Sequence, residues 1–191
     1  MTVNFKNTKA SYGIVSITLH WIMAALLIGL FALGTYMVDL NYYDQWYVSF
    51  PWWHKSIGIS VFSLLFIRSG WMLSNATPAS LKTYKAWEMQ LAKTVHILFY
   101  ILILIICISG YFISTAKGVG IEVFGWFDVP ALINIEDQQA DIAGEIHEIS
   151  NYALFILFSL HAIAALKHHF INKDITLTRI LKPTKPKENI E

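Results

Sequence analysis

Cysteine occurs once in this chain, at Cys107, inside an apolar run. A single thiol excludes an internal disulfide and a cysteine-built zinc site. No CxxCH segment is present to tether a haem covalently, so any haem must be held by non-covalent bonds. A phosphate-cradling GxxxxGK[ST] loop is absent as well. Charge is equally scarce: Asp, Glu, Lys and Arg make up 14% of the residues against 55% hydrophobic ones, with a mean hydropathy of +0.50. A soluble helical protein needs polar outer faces, and there are too few charges here to make them. The composition is that of a membrane protein. No internal repeat or low-complexity segment is present, and nucleic acid is not an expected partner.

The long apolar runs then set the architecture. A helix crosses the hydrocarbon layer with about 20 apolar residues, and four stretches qualify, at 13–38, 54–73, 93–116 and 144–170. A cleaved signal peptide is the competing reading of the first, but that run exceeds an ordinary signal core and has no AxA-like exit. The expected fold is all-α: a single transmembrane domain over 1–191, built as an integral membrane four-helix bundle. Aromatics crowd the first connector (Tyr42, Tyr43, Trp46, Tyr47, Trp52, Trp53), as favoured at a membrane–water interface. Trp126 and Phe127 in the third connector suggest a second dip into it. In the tail, Pro183 and Pro186 discourage further helix.

Orientation follows from lysine and arginine. The N-terminus, the 74–92 connector with its flanks and the C-terminal tail hold all of them except Lys55 and Lys117. Both termini are therefore expected on the cytoplasmic side of a bacterial inner membrane. Nine of the 13 acids (Asp39, Asp44, Glu122, Asp128, Glu136, Asp137, Asp141, Glu145, Glu148) then face outward.

Within those spans the histidines carry the chemistry. Ionisable groups inside a membrane are costly and call for a reason. The fourth span holds four of the seven histidines, at 147, 161, 168 and 169. His147 and His161 are fourteen residues apart, almost four full turns, so both rings leave one face, about 21 Å apart along the axis. That arrangement suggests ligands to two stacked metal centres. The topology puts His54 and His147 near the outer side, and His20, His96 and His161 near the inner one.

The same fourteen-residue interval recurs in His20 and Gly34, His54 and Arg68, and His96 and Gly110. Glycine lets a flat cofactor approach a backbone, although packing between helices is the commoner reason for a membrane glycine. Arg68 suits a propionate as a bidentate partner, or it snorkels to the headgroups. A lone membrane histidine such as His20 serves equally well as a helix–helix hydrogen-bond partner, and His168 and His169 suit the dipole at a helix end.

Paired imidazoles suit haem iron, though zinc, copper and non-haem iron accept them too. A di-iron carboxylate site lacks its Glu-x-x-His pairs here. Glu145, His147 and Glu148 form an alternative zinc set. Two b-type haems, one per layer, account for more of these residues.

The segments SITLHWIMAALLIGLFALGTYMVDL, WWHKSIGISVFSLLFIR, LAKTVHILFYILILIICISGYF, GEIHEISNY and LHAIAALKHHFINKDITLTRIL cover nearly the whole chain. Together they resemble the bacterial cytochrome b561 family of four-helix di-haem membrane proteins. LHW and the last segment are the specific ones. The chain is also similar to the cytochrome b subunits of membrane formate dehydrogenases and nickel–iron hydrogenases.

The resemblance implies that His54 and His147 ligate an outer haem b, and His20 and His161 an inner one. It implies electron transfer between a quinone pool (ubiquinone or menaquinone) and an outer-side redox partner, with superoxide as the outer substrate of some members. His96 and His168 are then quinone candidates. The 38–53 connector departs from the family habit, carrying Asp39 and Asp44 and no lysine or arginine, which bears on the outer substrate. The other functions weighed are a haem-bearing membrane anchor of a larger dehydrogenase and a histidine-lined metal permease.

Overall fold

The computed structural model of the protein describes residues 4–81, 84–133 and 135–183. Lys82, Lys185, Lys187 and Pro186, which entered the reading of topology and tail, lie outside the described residues. Four long helices dominate: α1 (Ile14–Met37), α2 (Ser49–Ser74), α3 (Ala86–Thr115) and α4 (Asp137–Phe170). Each is long and apolar enough to cross a membrane. Between α3 and α4 lies a small antiparallel hairpin of β1 (Ile121–Val123) and β2 (Phe127–Val129), with Ile121 facing Val129. A short helix, α5 (Thr176–Leu181), precedes Pro183. Neither the hairpin nor α5 was expected from the sequence.

Two helices begin seven residues before their apolar runs, and the same device explains both. Glu88, third residue of α3, turns its carboxylate back to accept a hydrogen bond from the Lys85 backbone N–H at 3.0 Å. Gln139, third residue of α4, does the same for Glu136 N–H at 3.1 Å. Each is half of a capping box, satisfying a backbone donor that the helix start leaves open. The first turn of α2 takes Pro51 without penalty, because an N–H there has no intrahelical partner.

Packing divides the chain into two compact units, and each long helix contributes one segment to each. The first takes in the described parts of Met1–Ile22, Phe66–Leu98 and Ile156–Glu191; the second takes in Met23–Leu65 and Phe99–Phe155.

In the second unit, Met23, Val61, Leu65, Ile103, Ile106 and Leu154 form a buried core. Phe31 stacks on Phe155 with ring centroids 4.5 Å apart. The hairpin reverses at Phe124 and Gly125, at φ 50° and 72°, and Trp126 N–H returns to Val123 carbonyl at 2.9 Å. Two successive left-handed residues match the twist of the paired strands, but the conformation is strained for a phenylalanine. Ser56 compensates. Its fully buried hydroxyl accepts from Phe124 N–H at 3.1 Å and donates to Glu122 carbonyl at 3.4 Å. The Phe124 ring also packs between Trp53 and Trp126, at centroid distances of 5.8 and 5.6 Å.

In the first unit, Trp71 Nε1 donates to the Ser16 hydroxyl at 2.8 Å, which donates to Asn7 Oδ1 at 2.7 Å. The tail docks through α5: buried Arg179 donates to Ala79 carbonyl at 3.1 Å and lies over the Tyr12 ring. Trp21 Nε1 donates to Ile180 carbonyl at 2.7 Å.

Candidate functional site

His54 from α2 and His147 from α4 face one another in the second unit, with ring centroids 6.2 Å apart. Each ring is backed by a glycine of another helix. A Cβ at Gly34 would stand 3.1 Å from His54 Cε1, and one at Gly110 would stand 3.0 Å from His147 Cε1. The spacing pattern had set these glycines opposite a macrocycle. In the structure they make room for the imidazoles of neighbouring helices.

His147 Nδ1 lies 2.9 Å from the Ile106 carbonyl and 3.2 Å from the Ser109 hydroxyl. A carbonyl only accepts, so Nδ1 carries the proton and Nε2 presents a lone pair, the tautomer an axial ligand needs. Ser109 was missed in the sequence, because nothing local distinguishes a serine that bonds back to the Ile105 carbonyl from one that serves a ring. His54 Nδ1 is buried and has no hydrogen-bond partner among the described residues.

The first unit gathers three histidines. His96 and His161 have ring centroids 5.6 Å apart. His20 lies within electrostatic reach of both, and its Nδ1 is 3.3 Å from an Arg68 guanidinium nitrogen. Of the inner residues singled out, His96 is thus in direct ring contact with His161.

A second cluster in this unit surrounds His168, near the end of α4. The chain turns at Lys173, whose φ is 54°, and Asp174 N–H returns to His168 carbonyl at 3.1 Å. This brings Asp174 Oδ2 within 2.8 Å of His168 Nδ1. Asn172 Nδ2 lies 3.1 Å from the same ring nitrogen. Thr176 donates to Asp174 Oδ1 through its hydroxyl and, at 2.8 Å, its backbone N–H. Tyr84 bonds the Thr176 hydroxyl, and its ring lies 5.0 Å from that of His168. Burial alone would raise the Asp174 carboxyl, but the hydrogen bonds from Thr176 and His168 outweigh it and hold the group below its ordinary value. Burial raises the Tyr84 phenol despite its bond to Thr176.

The residues can be tested against the groups they were expected to hold. Imidazole nitrogens bind first-row metals at about 2.0 Å, so two axial rings on one iron have centroids roughly 6 Å apart. The His54–His147 pair fits this at 6.2 Å, with one ring already in the ligating tautomer. His96–His161, at 5.6 Å, is a little tighter. Among the described residues no three His, Cys, Asp or Glu side chains gather to hold a metal ion, so the zinc alternative at Glu145, His147 and Glu148 gains no geometric support.

The family model described as prokaryotic cytochrome b561 matches residues 11–183. Cytochrome b561 homolog 2 of Escherichia coli (strain K12) is 45% identical over 179 residues, covering 94% of this chain and 95% of its own. Cytochrome b561 homolog 1 of the same organism is 30% identical over 128 residues, 67% of this chain and 72% of its own. A Yersinia pestis protein named Probable superoxide oxidase CybB is 27% identical over 173 residues, 89% of this chain and 95% of its own. With four membrane-spanning helices, facing histidines suited to b-type haem and a match over nearly its whole length, the chain belongs to the prokaryotic cytochrome b561 family of inner-membrane electron-transfer proteins.

Proposed function

We propose that the protein carries electrons through two b-type haems between a membrane quinone, ubiquinone or menaquinone, and an outer-side redox partner, with superoxide one candidate for that partner. His54 and His147 would hold the outer haem, and His20 and His161 the inner one as the family resemblance implies, His96 being the other inner ring in contact with His161. The haems supply one-electron carriers held apart within a low-dielectric layer. The observation that carries the reading is the facing His54–His147 pair, each ring backed by a glycine and one fixed in the ligating tautomer.

Arg68 takes a defined part. A guanidinium only donates, so its contact with His20 requires an unprotonated Nδ1. An axial imidazole ligated through Nε2 carries its proton on Nδ1. Haem binding through His20 Nε2 would exclude this contact, and Arg68 would then serve another acceptor, for which a propionate has the right chemistry. His96 and His168 are the quinone contacts, and the relative named for superoxide oxidase supports superoxide as the outer substrate.

The test is haem counting on the purified full-length protein. Two haems per chain are expected. His54→Ala or His147→Ala should leave one, His20→Ala or His161→Ala should leave the other, and His96→Ala should keep both. Loss of the inner haem in His96→Ala, with His20→Ala retaining it, would move the axial role to His96.

A further inference from the structure

The geometry points to Asp174 as the positioning residue of a His–Asp dyad that makes Nε2 of His168 a proton-exchanging atom for the quinone, with Thr176 and Tyr84 holding the carboxylate in place. This rests on the reading that a quinone oxygen meets His168.

A carboxylate only accepts, so at 2.8 Å from Asp174 Oδ2 the His168 Nδ1 is the protonated nitrogen. The Thr176 hydroxyl spends its single hydrogen on Asp174 Oδ1, and Tyr84 must therefore donate to Thr176. Three hydrogens, from His168 Nδ1, the Thr176 hydroxyl and Thr176 N–H, converge on one carboxylate. Asn172 Nδ2, itself only a donor, makes no hydrogen bond to the protonated Nδ1. The Asp174 side chain is 7% exposed and that of His168 14%, so water competes weakly for either.

The charged and titratable groups facing the pair come from three directions. Tyr84 precedes α3, Arg179 comes from α5 and Tyr12 from the N-terminal segment, the last two acting on Tyr84. Glu88 is engaged by Lys167 at 3.8 Å. Among the described residues, no second carboxylate bonds the His168 ring.

With Nδ1–H committed, neutral His168 has an accepting Nε2 and protonated His168 a donating one. Asp174 fixes this tautomer and keeps the ring in one orientation, as the carboxylate does in a hydrolase triad. Reducing a quinone to a quinol takes two electrons and two protons. The outer donor supplies the electrons; one proton leaves Nε2 of protonated His168 and the other comes from water. Water then restores the proton on Nε2. Quinol oxidation runs the same exchange backwards.

The test uses the haem-loaded, full-length protein in detergent with decylubiquinol and decylubiquinone. Three readouts apply: the haem spectrum, equilibrium binding of decylubiquinone, and the rate of haem reduction by decylubiquinol across pH. Asp174→Asn should keep the spectrum and bind the quinone within about twofold. Its reduction rate should fall by about tenfold or more, within the usual worth of general acid–base help. The break in its pH profile should differ from the parent's, because the carboxylate bonded to the ring is gone. Asp174→Glu should recover most of the rate, and Tyr84→Phe should lose a smaller part of it.

A rate in Asp174→Asn lowered equally at every pH, or no rescue by Glu, overturns the dyad. If His168→Phe is slowed while Asp174→Asn is not, the dyad fails and the quinone placement stands. If His168→Phe binds and reacts as the parent does, the quinone placement itself fails. Should Asp174→Asn lose its haems, the pH profiles of Tyr84→Phe and Asp174→Glu decide, and profiles identical to the parent's overturn the proposal.

Discussion

The Nδ1 hydrogen of His147 is committed to the Ile106 carbonyl, and that one bond decides which nitrogen is left for a metal. Gly110 makes the arrangement possible, since a methyl there would stand 3.0 Å from His147 Cε1, well inside the ~3.5–4.0 Å at which carbon atoms pack. Gly110→Ala should gain up to about 1 kcal/mol of helix propensity and still lower the haem content, because the ring must turn away from Ile106. Gly70→Ala, where an added Cβ meets nothing within 4 Å, is the control and should keep full haem content. Equal haem content in the two variants would count against a glycine-backed ligand. The histidines themselves were legible, because a fourteen-residue interval fixes a helix face whatever the rest of the fold does. Their backing was not legible: Gly34 and Gly110 serve rings on other helices, and spacing within one helix says nothing about which neighbour it meets. Asp174 was hidden for the same reason, since it reaches His168 only through the turn at Lys173.

The four membrane helices were legible as elements, while the starts of α3 and α4 were not. Hydropathy marks the part of a helix that lies in lipid, and the extra turns before it are set by capping. Glu88 and Gln139 supply half of each capping box, but Lys85 and Glu136 stand where a serine or threonine would have announced it. The hairpin escaped because three-residue strands are too short to show alternation, even with Gly125 marking its turn. A single hydroxyl, that of Ser56, ties this hairpin to α2. Ser56→Ala leaves Phe124 N–H without its acceptor and Glu122 carbonyl without its donor, at a cost of about 1–3 kcal/mol when such groups stay buried. The strained Phe124 then has less to hold it. Limited proteolysis from the outer side should cut Ser56→Ala within 118–130 faster than the parent protein, while haem content stays within the parent's range. Equal cutting rates would show that the aromatic packing of Trp53 and Trp126 is enough.

Across the whole molecule the charge is uneven, with Lys55 and Lys117 the only cationic side chains of the outer connectors against nine acids. A small anion approaching such a surface is repelled, and salt relieves the repulsion over about 10 Å or less. If superoxide is the outer substrate, its oxidation should be modest at low ionic strength and should rise or hold as salt is added. A near diffusion-limited rate that falls steeply with salt would point instead to a local basic funnel around Lys55 or Lys117. A different consequence follows from α4 itself, one unbroken helix of 34 residues that carries both His147 and His161. The fourteen residues between them correspond to about 21 Å of rise, a large fraction of a hydrocarbon layer about 30 Å thick. A full charge crossing the membrane exchanges about 2.3 kcal/mol with each 100 mV of membrane potential, so an electron passing between the two proposed centres exchanges the larger part of that. If both proposed centres hold haem, electron transfer between them is electrogenic: the voltage of an energised cell favours one direction of electron flow and opposes the other, with no change in either redox partner.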